Sequence, residues 1–413
     1  MNRFFRGALA LIACLCASSA SAAAPSTLAA TPPMGWNGWY QFRDKVTEQN
    51  IRDAADTMVS SGMRDAGYVY LDIDDGWQGK RDAQGVLQPN ARFHDMKALA
   101  DYVHSKGLKL GIYTSPGGKT CAGYRGSLGH EDQDAKTYAA WGIDLVKYDL
   151  CGFIDDSMNK RYPNDHAAQT QLMIDAYAKM RRAIDASGRP MVYSLCQYGM
   201  GAIWEWGNSP AVRGNLWRTG PDVGQRGVHW NDIYYNATLQ AGLAPYAGPG
   251  HWNDPDILEV GLTAGKDTLT MPENRAHFSL WAIMAAPLLA GNDIAHMSDD
   301  IRSVLTNRGV IAVDQDRLGY QGKRVYVSGA IEVWTKPLSN GDLAVAVFNL
   351  GEERTATHPL YLDPAAFGIH GSQTGKDLWT GKTVTLDAHR PLTLKTHDVL
   401  LVRLPGKQGA FAR

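Results

Sequence analysis

The chain has 413 residues, 44% of them hydrophobic and 20% charged, with a formal net charge of −1, which suits two ordinary globular domains. That near-neutral balance offers no basic field for nucleic acid or for an acidic membrane surface. The aromatic residues are uneven, 12 Trp and 18 Tyr against 9 Phe. The flat faces and polar edges of Trp and Tyr match the CH faces and hydroxyls of sugars.

At the N-terminus, Arg3 and Arg6 precede an apolar run from Ala8 to Ala17, and Ala20-Ser21-Ala22 offers small residues for cleavage. Residues 1–22 therefore read as a Sec-type signal peptide, too short to span a membrane, and no later stretch reaches that length. The expected location is secreted or periplasmic. Leu11-Ile12-Ala13-Cys14 gives a competing reading, lipoprotein processing at Cys14, against which stands the short apolar stretch before it. Losing Arg3 and Arg6 leaves 39 basic residues against 42 acidic ones. Cys14 and Cys16 leave with the signal, so Cys121, Cys151 and Cys196 remain. In an oxidising compartment these make one disulfide and one free thiol, with the pairing left open.

Residues 25–316 alternate short apolar runs with amphipathic stretches. The strand-like runs lie near 34–38, 68–74, 108–114, 144–150, 190–196, 215–219, 251–257 and 288–293. Between them, Asp95 is a candidate N-cap for a helix with Met96, Leu99 and Val103 on one face and Gly107 as its stop. A second helix carries Leu172, Ala176, Met180 and Ile184 at helical spacing and ends at Gly188. Eight strands alternating with helices predict a (β/α)8 TIM barrel. A doubly wound open sheet is the rival, but no G-x-G-x-x-G follows the first strand.

Beyond Gly319 the helical period disappears. Arg324–Val327, Ile331–Thr335, Leu343–Asn349, Thr383–Leu386 and Val399–Leu404 are short, β-rich and separated by turns such as Ser339-Asn340-Gly341-Asp342. Residues 320–406 therefore predict a C-terminal antiparallel β-sandwich. It shows no clustered acids or histidines, and reads as a structural domain on the barrel's side.

Barrel enzymes build their sites at the C-terminal ends of strands. Here those ends carry Asp72, Asp74 and Asp75; Lys147 and Asp149; Arg218 and Asp222; and Asp254 and Asp256. One Asp at a strand end is usually a cap or turn former. Several gathered on one face would repel one another unless they have a task. Separated carboxylates with Lys, Arg and Trp and no evident cofactor point to glycoside hydrolysis, one carboxylate attacking or activating water while the other protonates the leaving oxygen. A metal site is the rival through His251, Asp254 and Asp256, but no H-E-x-x-H or similar ligand spacing occurs. Gly117-Gly118-Lys119-Thr120 fails as a phosphate loop, because its first glycine position holds Tyr113.

At these residues the sequence resembles the α-galactosidases and α-N-acetylgalactosaminidases of glycoside hydrolase family 27. The resemblance runs from Pro32-Pro33-Met34-Gly35-Trp36-Asn37-Gly38-Trp39, through Lys147-Tyr148-Asp149 and Trp252-Asn253-Asp254-Pro255-Asp256, to Val313-Asp314-Gln315-Asp316. It implies Asp149 as nucleophile and Asp222 as acid/base. It further implies that Asp74 and Asp75 grip the galactose 4- and 6-hydroxyls, that Lys147 serves the 3- and 4-hydroxyls, and that Arg218 lies near the 2-hydroxyl. Trp39 would stack on the sugar, Tyr113 and Asp256 would complete the wall, and Cys121–Cys151 would be a disulfide beside the nucleophile. Gln197, followed by Tyr198, stands near the 2-substituent where several members have Glu, and Ile257 stands where Met is frequent. Gly76 and Gly214 replace cysteines of some relatives, which implies a free Cys196 at the pocket.

The roles have a physical logic. A retaining enzyme needs its carboxyls about 5 Å apart. Lys147 and Asp149 share one side of a strand, so the lysine is expected to hold the Asp149 pKa down. The expected activity is retaining, exo-acting release of terminal α-galactose from α-galactosides, without cofactor, metal, nucleic acid or membrane span. An α-N-acetylgalactosaminidase would need room that Gln197-Tyr198 does not supply. A β-L-arabinopyranosidase would fill the 6-position with a longer acid than Asp74 or Asp75. A non-catalytic sugar-binding protein would have lost a catalytic carboxylate.

Overall fold

The computed structural model describes residues 28–224, 227–351 and 360–406. The signal peptide and the Cys14 alternative lie outside the described residues. Eight parallel strands follow the expected runs: β1 (Met34–Asn37), β2 (Tyr70–Ile73), β3 (Lys109–Thr114), β4 (Leu145–Asp149), β5 (Val192–Cys196), β6 (Leu216–Arg218), β7 (Trp252–Asp254) and β8 (Leu288–Ala290). β1 pairs with both β2 and β8. The ring closes just past β7, where the Leu258 amide donates to the Leu289 carbonyl at 2.7 Å and the Gly291 amide to the Leu258 carbonyl at 3.0 Å. The result is a TIM barrel.

Side-chain alternation explains how this barrel carries a polar site on an apolar plug. Tyr70, Leu145, Val192, Leu216 and Trp252 form one buried cluster. Two and four residues further along the same strands come Asp72 and Asp74, Lys147 and Asp149, Ser194 and Cys196, Arg218, and Asp254. The opposite parity, Leu71, Val146, Tyr148 and Trp217, joins the larger core beneath the helices.

Asp95 caps the helix α1 (Met96–Ser105), accepting from the Ala98 amide at 3.0 Å. The long helix α2 (His166–Ala186) buries Met173, Tyr177, Met180, Ala183 and Ile184. Met180 and Ile184 are buried as expected, whereas Leu172 and Ala176 are only half-buried and their neighbours Met173 and Tyr177 take the inner positions. The Tyr177 hydroxyl shares its one proton between the Tyr148 and Cys196 carbonyls, at 3.1 and 3.0 Å, which anchors that side of the helix to the barrel.

The C-terminal region contains a six-stranded antiparallel sheet ordered β9 (Lys323–Ser328), β10 (Ile331–Pro337), β11 (Leu343–Asn349), β14 (Val399–Leu404), β12 (Gln373–Asp377) and β13 (Thr383–Leu386). Strand β12, rich in Gly, Lys and Thr, gave no apolar signal and was missed. Both faces of the sheet are buried. Val345, Val347 and Val402 pack on Leu362, Phe367 and Ile369, whereas Ala344, Ala346, Phe348 and Leu401 belong to the barrel's core. Burial on both sides accounts for the unbroken apolar run Leu343–Phe348. No helix among the described residues is long and apolar enough to cross a membrane.

Candidate active site

The pocket opens at the C-terminal ends of the barrel strands. It encloses about 100 Å³ and is lined by side chains from β2 through β7 together with Trp39 and Tyr40. Past β2, Asp74 is gripped from three sides: by Lys147 Nζ at 2.8 Å, Asn37 Nδ2 at 2.7 Å and the Asp75 amide at 2.8 Å. Asp75 accepts from the Ala122 and Gly76 amides at 2.7 and 2.8 Å; burial, partly offset by those bonds, still lifts its pKa to about 6. Beneath them Asp72 is buried, its pKa raised to about 7 by burial and by Asp74. Gly111 on β3 admits this carboxyl, because a Cβ there would stand 1.9 Å from Asp72 Oδ1.

Asp149 and Lys147 both face the pocket from β4, as alternation requires. Burial works against the lysine cation, yet Asp74, Cys196 and Asp149 outweigh it and hold its pKa well above the ordinary value. Asp149 goes the other way from the expectation. Lys147 and a hydrogen bond from Tyr198 do lower its pKa, but burial dominates and the net shift is upward. A lone lysine that is itself committed to Asp74 does not cancel desolvation.

Arg218 at the end of β6 pairs with two carboxylates through its two Nη atoms. Its Nη2 lies 2.7 Å from Asp222 Oδ1 and its Nη1 2.9 Å from Asp256 Oδ1. Asp256 also accepts the Val223 amide at 2.8 Å, so it braces the segment that carries Asp222. Its own backbone sits at φ 97, a strained value for a residue with a side chain. Burial, moderated by Arg218 and reinforced by Asp222, raises the Asp256 pKa to about 7. The Tyr40 hydroxyl donates to the Val223 carbonyl, a second brace on the same segment.

Cys121 and Cys151 are joined in a disulfide at the pocket edge, and Cys196 is a free, buried thiol. The two disulfide sulfurs and Asp149 are also the sole His/Cys/Asp/Glu grouping, among the described residues, tight enough for a metal ion, but bonded sulfurs offer no thiolate.

The structure thus gathers Trp39, Asp74, Asp75, Tyr113, Cys121, Lys147, Asp149, Cys151, Tyr198, Arg218, Asp222 and Asp256 on one cavity. It separates two expected members from them. Cys196 lies below the pocket floor, in a smaller void of about 20 Å³. Gln197 is fully buried, and its Nε2 donates to the Arg218 carbonyl at 2.9 Å. Gln197 therefore ties β5 to β6, and the next residue, Tyr198, presents its side chain to the pocket. Sequence reasoning missed Asn37 and Tyr40. Asn37 could have been found as a polar residue closing the apolar run Met34–Trp36; Tyr40 gave no signal apart from its neighbour Trp39.

Comparison with known proteins identifies the family of both domains. Residues 31–316 match the family model described as alpha galactosidase A, and residues 328–404 match that of the alpha galactosidase C-terminal beta sandwich domain. The alpha-galactosidase A of Cellvibrio japonicus is 42% identical over 96% of this chain and 97% of its own. The crystal structure of alpha-galactosidase I from Mortierella vinacea superposes with a TM-score of 0.80 at 32% identity, covering 92% of this chain and 98% of that one. The Saccharomyces cerevisiae alpha-galactosidase solved with raffinose gives a TM-score of 0.78 at 28% identity, covering 91% and 98%.

Proposed function

The chain belongs to the alpha-galactosidase family of glycoside hydrolases, and from that premise we propose that it releases terminal α-galactosyl residues with retention, using Asp149 as nucleophile and Asp222 as acid/base. The observation that carries the reading is the placement of both carboxyls on one pocket with unlike partners, Asp149 beside a tyrosine hydroxyl and Asp222 on an arginine. Asp149 attacks the anomeric carbon while Asp222 gives its proton to the leaving oxygen. Water, deprotonated by Asp222, then breaks the glycosyl ester and restores both groups.

Galactose is the favoured glycone because Asp74 and Asp75 are both short and both held by backbone amides, leaving room for a 6-hydroxymethyl group. Tyr198 lines the pocket, and the family resemblance assigns this position to the neighbourhood of the 2-substituent, so its bulk argues against an N-acetylgalactosaminide. The substrates are α-galactosides such as oligosaccharides or polysaccharide side chains. Residues 1–22 would direct the chain out of the cytoplasm, a reading that the Cys121–Cys151 disulfide supports.

The substrate assignment is tested by comparing kcat/KM for nitrophenyl α-galactoside, α-N-acetylgalactosaminide and β-L-arabinopyranoside. The α-galactoside is expected to be best, and a higher value for either rival overturns the assignment. Asp149→Ala should lose nearly all activity and recover with azide as the β-galactosyl azide. A retained azide product would remove Asp149 from the nucleophile role. N-terminal sequencing of protein recovered outside the cytoplasm should begin at Ala23.

A further inference from the structure

The segment after β5 reads Cys196-Gln197-Tyr198-Gly199. Tyr198 sits at φ 60 and Gly199 at φ 79, two left-handed residues in succession. The glycine is required there, because a Cβ would stand 2.5 Å from the Thr219 carbonyl oxygen. Tyr198 has no such excuse. An aromatic residue in this region is strained and persists only where its surroundings enforce it.

What the strain achieves is the position of one phenol. Its oxygen lies 2.6 Å from Asp149 Oδ1, against 3.2 Å from Cys151 Sγ and 3.8 Å from Cys121 Sγ. The phenol has a single proton to give, and an ionised carboxylate is a far better acceptor than a disulfide sulfur. The ring is fixed from its other side by the Arg218 guanidinium, 5.7 Å from its centroid. Among the described residues, Asp149 Oδ2 accepts no hydrogen bond.

Resting on the reading of Asp149 as nucleophile, we infer that Tyr198 is a catalytic hydrogen-bond donor rather than a sugar contact, holding Oδ1 so that Oδ2 attacks. In the first step the C1–Oδ2 bond forms, the glycosidic bond breaks, and the Asp222 proton goes to the leaving oxygen. In the second, water adds to C1, its proton passes to Asp222, and the C1–Oδ2 electron pair returns to the carboxylate. The Tyr198 bond strengthens as that charge returns, so its largest benefit falls on the second step. Burial and the neighbouring Cys196 and Asp149 raise the phenol's own pKa, which keeps the donor protonated throughout.

Asp149 is faced by Lys147 on its own strand, by Asp74 and Asp75 beyond β2, and by Tyr113 on β3. Cys196 on β5 and Arg218, Asp222 and Asp256 from beyond β6 and β7 complete its charged surroundings. Tyr198 is the group that donates to it directly.

The test is Tyr198→Phe, assayed on an activated nitrophenyl α-galactoside. Losing a bond to the charged nucleophile should move the acid limb of kcat/KM to higher pH. It should also lower kcat about tenfold or more, and lower KM as the glycosyl–enzyme accumulates. Replacing Tyr198 by a fluorinated tyrosine, a stronger donor of the same shape, should move the acid limb to lower pH. An unmoved acid limb in both proteins, with KM raised in the Phe variant, would make Tyr198 a sugar contact and overturn the inference. Azide stereochemistry in Asp149→Ala tests the nucleophile separately, so failure of either reading is distinguishable from failure of the other.

Discussion

Lys147 Nζ lies 2.8 Å from Asp74 Oδ2, so the cation two residues before Asp149 is paired with a carboxylate from another strand end. That pairing couples the carboxylates beyond β2 to the strand that carries Asp149. Lys147→Met would leave the buried Asp74 carboxylate without its cation and remove the main influence lowering the Asp149 pKa. The expected outcome is a stability loss of about 3 kcal/mol in urea titration, with the acid limb of kcat/KM displaced to higher pH. An unchanged acid limb would show that the lysine serves Asp74 alone.

Asp222→Ala should separate substrates by leaving group. A general acid contributes about 10²–10⁴-fold when the leaving oxygen needs a proton, so raffinose-type substrates should lose activity by that order. A dinitrophenyl galactoside, whose leaving group departs without help, should lose much less in its first step. Azide should restore turnover with the retained α-galactosyl azide. Equal losses across leaving groups would remove Asp222 from the acid role.

Asp256 braces both Arg218 and the Val223 amide. Asp256→Ala leaves a buried guanidinium with one carboxylate fewer and an unpaired amide, a loss of about 3–5 kcal/mol. Because Val223 adjoins Asp222, kcat should fall more for poor leaving groups than for activated ones. Asp256→Asn, which keeps an acceptor for the amide, should recover part of the stability but not the charge pairing with Arg218. Thermal melts and the two substrate classes check this together.

Glu259 lies fully buried against Gly224 and Tyr40, and neither carboxyl oxygen has a hydrogen-bond partner among the described residues. Burial, then Asp256 and Asp232, raises its pKa from 4.5 to about 8. The folded state therefore keeps a proton that the unfolded chain releases above about pH 4.5. Its contribution is fully present below that pH and is lost as pH rises towards 8, at roughly 1.4 kcal/mol per unit. Glu259→Gln should flatten the decline of stability between pH 5 and 8 relative to the parent protein. Parallel pH–stability curves for the two proteins would contradict the shift.

The barrel was legible because strand alternation and helix period are local properties. Lys147 and Asp149 share a face simply because they are two residues apart, and the eight apolar runs mark eight strands before any contact is known. The gathering of carboxylates at strand ends was legible for the same reason, once a barrel was expected. Strand β12 was not, since Gln373–Asp377 draws its order from neighbours rather than from its own hydrophobicity.

The sequence by itself determined the architecture, the carboxylates at the strand ends and the cysteines available for a disulfide, all of which depend on order and spacing along the chain, while the family resemblance singled out Asp149 and Asp222 among those carboxylates. Only the tertiary structure decided which neighbours each charge meets. Burial turned the Asp149 shift upward despite Lys147, and Arg218 was divided between Asp222 and Asp256. Gln197 turned away under the pocket floor, where it donates to the Arg218 carbonyl, and the left-handed turn at Tyr198 and Gly199 brought the phenol onto Asp149. Desolvation and pairing depend on distances between strand ends far apart in sequence, and no local pattern carries those distances.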